Sequence, residues 1–393
     1  MRVLIVNDYG SASSGGVETL MLRLRAALRK RGHDARLFTS SADRPRNRLP
    51  GDAVCWGTLT AFRVPLQAYN PWAVRALRRT LETFRPDVVH LNLFMTQLSP
   101  AILPVLRDVP VLFHAHWYRA VCPLGTKRLP DGTPCREHWG RACLSQQCLS
   151  VRAWLLLMLQ RRLLHRHAHV LDRVIACGTP VRDRLMEAGW EGVEVVWNGV
   201  PSLEACARLA DTPTIAFAGR LAPEKGVDIL IHAFARVARE LPDARLLLAG
   251  DGPMRRQIEH LIASYGLDAR IHRPGWVPSE ALDNVLGGAW VQAVPSVWEE
   301  PFGNAAAEAM MRGTAVVASA RGMLPELVEH DVRGLIVEPG DPDALASALL
   351  RLLRNRALAS DMGAAGRRFA LERLSETAFA DRMLELYASM QPS

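Results

Sequence analysis

The 393-residue chain is too long for a single ordinary hydrophobic core, so we expect two domains. Its composition, 49% hydrophobic and 22% charged, excludes a disordered chain, and no apolar run approaches the roughly 20 residues that a membrane helix needs. The net charge of +8 is uneven, because residues 1–200 carry 28 Lys and Arg against 15 Asp and Glu, whereas residues 201–393 have a balance of −5. The basic first half indicates either an anionic partner, such as an acidic ligand, a phosphorylated lipid or a membrane surface, or a plain compositional bias toward arginine.

The first half of the chain alternates strand and helix patterns. The apolar run at 3–6 predicts a buried strand, and the glycine-rich loop Ser14-Gly15-Gly16-Val17-Glu18 leads from it into a helix pattern. Further strand patterns occupy residues 35–38, 88–91, 111–113 and 174–176. The N-terminus lacks the long apolar region and cleavage site of a signal peptide, so we expect a cytoplasmic protein.

The second half repeats this alternation. Strand patterns at 214–219, 245–249, 291–294 and 315–318 surround a helix pattern at about 227–241. Strands that alternate with helices predict a parallel sheet covered on both faces, with ligands bound beyond the carboxyl ends of the strands. We therefore expect α/β domains at 1–200 and 201–374 with a cleft between them, and a C-terminal helix at about 375–393 packed back on the first domain.

Two carboxylates flank the start of a predicted helix in the segment from Pro295 to Met310. Glu300 precedes the turn Phe302-Gly303-Asn304, in which glycine permits unusual backbone angles, and Glu308 follows within the alanine-rich helix pattern. The first N–H groups of such a helix have no partner inside the helix and form an anion site. A phosphate bound there, attached to hydroxyl-rich sugars, would satisfy both glutamates; the alternative is a core helix with two solvated carboxylates.

Six motifs follow one another along the chain: Gly15-Gly16-Val17-Glu18, the histidine segment His116 to Pro123, Asn198-Gly199-Val200, the loop Gly219 to Gly226, Gly250-Asp251-Gly252-Pro253, and the glutamate pair Glu300 and Glu308. In this order they resemble the motifs of the retaining glycosyltransferases of family 4, which have the GT-B architecture of two facing Rossmann-like domains. The resemblance covers nearly the whole chain. Trp117 departs from the pattern, since many members have Asp or Asn after the histidine, and this leaves the handling of the acceptor open.

The resemblance implies a transfer of a sugar from a nucleotide-sugar donor, expected to be a UDP-sugar, with retention of anomeric configuration by front-face attack. It assigns catalytic roles to His116, Arg220, Lys225 and Glu300. It also implies that Glu308 binds the ribose hydroxyls and Glu300 the donor sugar. The donor-binding set is Gly15, Gly16, Arg220, Lys225, Gly250, Phe302, Gly303, Asn304, Ala305 and Glu308.

Positive groups suit this chemistry because the phosphate-bearing leaving group gains negative charge in the transition state. Arg220 offers a planar fork and Lys225 a mobile point charge, although a surface ion pair with Glu224 is the alternative for both. His114 lies two residues from His116 on the same strand face and competes with it for the histidine role. For the Gly15-Gly16 pair, the alternative is an ordinary flexible turn.

No catalytic metal is expected. The Asp-x-Asp sequence at 341–343 has the pattern of a helix cap with proline just inside the helix. A structural zinc is a separate question, because an insertion contains four cysteines, Cys122, Cys135, Cys143 and Cys148. Their spacing is not a standard zinc signature, so either zinc or free thiols remain open, and disulfides are not expected in a cytoplasmic protein.

The expected partners are the nucleotide-sugar donor and an acceptor that the sequence does not identify, with no nucleic acid. The segment 154–169 is apolar on one side and basic beside it, so it either rests on the inner face of an anionic membrane or packs on its own domain. Alternative functions are a nucleotide-sugar epimerase and a non-catalytic sugar- or lipid-binding protein. An NAD-dependent oxidoreductase is disfavoured, since residues 10–16 lack the Gly-x-Gly-x-x-Gly spacing.

Overall fold

The structure is a computed structural model that describes residues 1–11, 15–43, 49–203 and 208–391. Ser14 of the glycine-rich loop and the last two residues of the predicted C-terminal helix lie outside these ranges. The chain divides into two compact units, which we call unit 1 (Met1–Gly199 and Glu376–Ser393) and unit 2 (Val200–Ser375). Within the described ranges, no helix combines the length and hydropathy that crossing a bilayer requires.

Unit 1 is built on a seven-stranded parallel sheet. Its strands are β1 (Arg2–Val6), β2 (Asp34–Ser40), β3 (Ala53–Cys55), β4 (Val88–Leu91), β5 (Val111–Ala115), β6 (Arg173–Ala176) and β7 (Glu194–Val195). The order in the sheet is β3-β2-β1-β4-β5-β6-β7. Residues 3–6 of β1 are fully buried, because a central parallel strand is covered on both faces, and this is why the strand is an uninterrupted apolar run.

Helices flank the sheet of unit 1. They are α1 (Gly16–Lys30), α2 (Arg63–Ala68), α3 (Pro71–Phe84), α4 (Ala142–Ser145), α5 (Val151–His167), α6 (Thr179–Glu187) and α14 (Glu376–Ser389). The last of these returns from the end of the chain. Phe379, Met383 and Tyr387 of α14 are buried in one core with Ile5 and Leu24, so the helix replaces solvent on one face of the sheet.

Unit 2 contains a six-stranded parallel sheet in the order β10-β9-β8-β11-β12-β13. Its strands are β8 (Thr214–Ala218), β9 (Arg245–Ala249), β10 (Ile271–Gly275), β11 (Val291–Val294), β12 (Ala315–Ser319) and β13 (Gly334–Val337). Its helices are α7 (Val227–Glu240), α8 (Arg255–Ser264), α9 (Ser279–Leu286), α10 (Asn304–Arg312), α11 (Leu324–Val328), α12 (Pro342–Leu353) and α13 (Arg356–Arg373). The predicted cap is present, since the Asp341 side chain accepts from the N–H groups of Asp343 and Ala344 at the start of α12.

In both sheets the order in which the chain adds strands switches once from one side of the first strand to the other. In unit 1 the chain adds strands on one side of β1 and then begins the other side with β4, and in unit 2 the same happens at β8 and β11. Loops that follow these two neighbouring strands diverge and leave a crevice at the carboxyl edge of the sheet, where open α/β sheets bind ligands. The expected α/β architecture with two Rossmann-like sheets is confirmed.

Candidate functional site

The candidate site of unit 2 is formed where the loops after β8 and β11 meet. Gly226 begins α7 with a φ of 62°, and a Cβ at this position would lie 2.1 Å from the carbonyl oxygen of Pro295. Glycine therefore permits both the left-handed backbone and the close approach. The N–H of Val297 donates to the carbonyl of Glu224 at 3.0 Å, which joins the two loops.

Glu300 is the buried centre of this site, at 5% exposure. Its Oε1 accepts from the Lys225 ammonium at 2.6 Å and from the Ser296 hydroxyl at 2.6 Å. Burial acts to raise the pKa of the Glu300 carboxyl, but the charge and hydrogen bond of Lys225, with hydrogen bonds from Ser296 and Trp298, outweigh it and hold the pKa below its usual value. Glu300 is thus ionised at neutral pH and acts only as a hydrogen-bond acceptor.

Helix α10 starts directly after Glu300. Phe302 is buried, and Gly303 has a φ of 98°, a left-handed conformation that turns the chain into the helix. No side chain caps this helix start, and the half-buried Asn304 and Ala305 form its first turn. Glu308 lies four residues after Asn304, about one turn along the helix. The two glutamates and an uncapped helix start therefore occur within nine residues of one another.

Arg220 is placed differently from Lys225. Its guanidinium forms an ion pair with Glu224, and its side chain is 65% exposed. This is the ion pair that the sequence left as an alternative to phosphate binding. The Glu224 side chain is only 18% exposed, so a move of Arg220 to a phosphate leaves a largely buried carboxylate without this partner. Nearby, a Cβ on Gly250 would lie 1.9 Å from the carbonyl oxygen of Gly219, so the loops after β8 and β9 touch through their backbones.

A buried polar network behind α10 was not foreseen from the sequence. Arg312, at 1% exposure, donates to Asp283 at 2.9 Å and to the side-chain oxygen of Gln292 at 2.5 Å. Gln292 in turn donates to the carbonyl of Ala305 at 2.7 Å. This chain of bonds ties the start and end of α10 to strand β11. It holds the helix start in place next to Glu300.

In unit 1, the glycine-rich loop begins α1. Gly15 precedes the helix and Gly16 is its first residue, and a Cβ on Gly15 would lie 2.7 Å from the carboxylate of Glu18. Glu18 is buried and accepts from the Asn7 side chain at 3.4 Å. Burial raises the pKa of Glu18 to about 7, so this carboxyl titrates near neutrality. No separate role for Glu18 was predicted from the sequence.

His116 follows β5 and is buried. Its Nε2 lies 2.9 Å from Oδ1 of Asn92, the residue after β4. The rings of His116 and His114 are 3.8 Å apart, and His114 stacks on His90 at 5.5 Å. We call these three residues the histidine stack. Burial lowers the pKa of His116 to about 3, so its ring is neutral at physiological pH.

The four cysteines of the insertion carry free thiols; Cys122 is buried, and Cys135, Cys143 and Cys148 are partly exposed. Among the residues that the structure describes, no three His, Cys, Asp or Glu side chains are grouped as metal ligands. The thiols as arranged do not form a zinc site, and zinc binding stays a prediction.

Comparison with known proteins agrees with this picture. The profile for Glycosyltransferase Family 4 matches residues 14–202, and that for Glycosyl transferases group 1 matches residues 206–369. Alpha-maltose-1-phosphate synthase of Mycolicibacterium smegmatis is 30% identical over 76% of this chain and 78% of its own length. D-inositol 3-phosphate glycosyltransferase of Xylanimonas cellulosilytica is 29% identical over 98% of this chain and 94% of its own length. Three further glycosyltransferases match over only 45–46% of their own length.

Solved structures share the fold. Sucrose-phosphate synthase from Thermosynechococcus elongatus has a TM-score of 0.76 at 24% identity, covering 99% of both chains. HepE of Anabaena, solved in complex with UDP-glucose, has a TM-score of 0.70 at 20% identity, covering 99% of this chain and 100% of its own. The two parallel α/β units and these matches define a glycosyltransferase of the GT-B class. The chain belongs to glycosyltransferase family 4.

Proposed function

We propose that this chain transfers a sugar from a UDP-sugar to an acceptor, with retention of anomeric configuration and without a catalytic metal. Unit 2 binds the donor and unit 1 binds the acceptor. The observation that carries the proposal is the buried Lys225–Glu300–Ser296 network next to the start of α10. The UDP-glucose in the HepE complex supports UDP as the donor nucleotide.

The leaving nucleotide is an anion, so its departure requires positive groups that are already in place. The Lys225 ammonium and the first N–H groups of α10 supply them, and the exposed Arg220 adds a second cation once it leaves Glu224. Because the Lys225 ammonium and the start of α10 are in place before the reaction, no divalent ion is needed to balance the charge of the diphosphate. The loop at Gly250 allows the backbone to approach the donor closely.

The carboxylates recognise hydroxyls. Glu300 is ionised and held by hydrogen bonds from Lys225 and Ser296, so its orientation is fixed while it accepts hydrogen bonds from the donor sugar. Glu308 accepts from the ribose hydroxyls. His116 is neutral, so it hydrogen-bonds a hydroxyl near the reacting carbon without adding a positive charge.

A donor screen tests this proposal. The full chain is incubated with UDP-, GDP-, ADP- and dTDP-sugars, with and without a panel of acceptors, and free nucleotide is measured. We expect release from UDP-sugars that increases with an acceptor and is lost in Lys225→Ala. Lys30→Ala, in the exposed last turn of α1, is the matched control. Conversion of the donor without an acceptor requirement would identify an epimerase instead, and binding without turnover a non-catalytic binding protein.

We further propose that α5 rests on the anionic cytoplasmic face of a membrane. Arg152, Leu155, Leu159, Arg162 and Arg166 recur at helical spacing and are all exposed, with Leu155 59% exposed; we call them the α5 stripe. No Asp or Glu occurs from 138 to 171, so only positive charge faces an anionic surface there. Apolar side chains between arginines suit the boundary between headgroups and acyl chains.

A further inference from the structure

Arg119 is a buried cation that forms no ion pair within the described part of unit 1. It lies in the short helix Tyr118–Ala120, three residues after His116, and is 7% exposed. Its guanidinium donates to the neutral side-chain oxygen of Gln67 at 2.6 Å, and its Nε has no hydrogen-bond partner. Within the described ranges, Arg119 forms no ion pair with a carboxylate.

Asp8 is the carboxylate that interacts electrostatically with Arg119, but its two oxygens already accept hydrogen bonds from other groups. Its Oδ1 accepts from the N–H groups of Gln97 and Leu98 at 2.8 and 2.9 Å. Its Oδ2 accepts from the N–H and hydroxyl of Thr96 at 2.8 and 2.6 Å. Four donors inside unit 1 therefore use the lone pairs of Asp8, and a bond to the guanidinium would have to displace one of them.

A second arginine increases the positive potential. Arg63 is the first residue of α2, the helix that contains Gln67, and its half-buried guanidinium also has an Nε without a hydrogen-bond partner. The charge of Arg63 reaches Arg119. Burial lowers the pKa of Arg119 to about 10, so the side chain stays charged at neutral pH despite its surroundings. A buried charge without a counter-ion is unfavourable, and proteins keep one where a ligand supplies the opposite charge.

The position of Arg119 indicates which ligand this is. Arg119 lines a small pocket together with Asn92, His116 and Trp117, the residues at the carboxyl ends of β4 and β5. We propose that Arg119, assisted by Arg63, binds a phosphate group of the acceptor, and that the enzyme therefore acts on an anionic, phosphorylated acceptor. That the phosphate belongs to an acceptor rests on the proposed function as a sugar transferase. The planar guanidinium fork fits two oxygens of a phosphate, which a lysine could not do.

The test is a calorimetric titration with inorganic phosphate, in which Lys225→Ala is present throughout to remove the phosphate contribution of unit 2. We expect Arg119→Met to raise the Kd for phosphate tenfold or more, and Arg119→Lys to raise it less. Arg78→Met, at an exposed arginine of α3, is the matched control and should leave the Kd within about threefold. Equal phosphate affinity with Arg119 present and absent would overturn the proposal.

One control shows that Arg119→Met still folds, and another separates a lipid phosphate from a free phosphate as the ligand. Because Arg119 has no counter-ion, we expect Arg119→Met to unfold at the same or a higher temperature than the parent in phosphate-free buffer. Vesicles with and without phosphatidic acid distinguish a lipid headgroup from a free phosphate: binding that requires both phosphatidic acid and Arg119 assigns the lipid. Acetate that binds as tightly as phosphate would overturn the phosphate assignment. A parallel UDP titration of the chain with Lys225 intact reports on the proposed function independently.

Discussion

Replacing Lys225 with alanine separates the structural from the catalytic role of its ammonium. Lys225 lies 2.6 Å from Glu300, which is 5% exposed, so the substitution leaves a buried carboxylate that has lost the cationic donor it has among the described residues. A hydrogen bond to a charged group contributes about 1.5–3 kcal/mol. Because the Lys225 side chain is itself 27% exposed, we expect a loss near the lower end, about 2 kcal/mol in the free energy of unfolding.

In Lys225→Ala, the activation barrier for turnover should rise by more than the free energy of unfolding falls. The ammonium is most useful when charge develops on the leaving phosphate, and loss of one such group raises a barrier by on the order of 2–4 kcal/mol, or about 30- to 1,000-fold in rate. Donor affinity should change less than turnover, since the interaction strengthens in the transition state.

A second substitution makes the reasoning testable. In Lys225→Ala, the further change Glu300→Gln removes the unpaired negative charge, so urea unfolding should show that most of the lost stability returns. Turnover, measured as nucleotide release at saturating donor, should stay low in the double variant. An undiminished turnover number in Lys225→Ala, or activity restored together with stability, would refute the catalytic role.

Four further outcomes are expected. Glu308→Ala should weaken donor binding roughly tenfold in calorimetry, with the exposed Glu372→Ala as control, because it removes an acceptor for two hydroxyls; an unchanged affinity counts against the ribose role. Burial lowers the pKa of each imidazole in the histidine stack, to about 3 for two of them. Below pH ~6.5 the unfolded chain binds protons at these imidazoles that the folded chain does not. The free energy of unfolding should therefore fall as the pH drops from 6.5 toward 3, by about 1.4 kcal/mol per pH unit for each histidine. Urea titrations that show no change across this range contradict the burial. Activity should survive a chelator, and lost activity with an unchanged circular dichroism spectrum, restored by magnesium or manganese, would defeat the metal-free mechanism. The chain should sediment with phosphatidylglycerol vesicles but not with phosphatidylcholine, and Arg162→Glu in the α5 stripe should reduce this; sedimentation unaffected by that change places the contact elsewhere.

Much of the fold could be predicted because central parallel strands are continuous apolar runs. The run at 3–6 and the strand Arg2–Val6 nearly coincide, as do 291–294 and Val291–Val294. All four edge strands were missed; β13 (Gly334–Val337) is a short apolar run that the strand patterns did not include, and the other three have a physical reason. Strand β3 has three residues and β7 two, too short for a pattern, and β10 contains a polar His-Arg-Pro stretch and a register shift.

The candidate site was predictable only where it is local in sequence. Glu300, Gly303 and Glu308 lie within one segment, so their helical spacing is visible without a structure. The contact between Lys225 and Glu300 spans 75 residues and depends on β8 and β11 being neighbours in the sheet. Arg312 could not be found in this way, because an arginine is expected at the surface and only packing shows it buried.

The most direct test of the central claim is a crystal structure of the full chain bound to UDP. We expect the diphosphate to lie at the start of α10 within hydrogen-bonding distance of the Lys225 ammonium, and the ribose hydroxyls to bond to the carboxylate of Glu308. We also expect Arg220 to leave Glu224 for the phosphate. A nucleotide bound away from α10, with the Lys225–Glu300 pair untouched and Glu308 facing no hydroxyl, would contradict the proposed donor site.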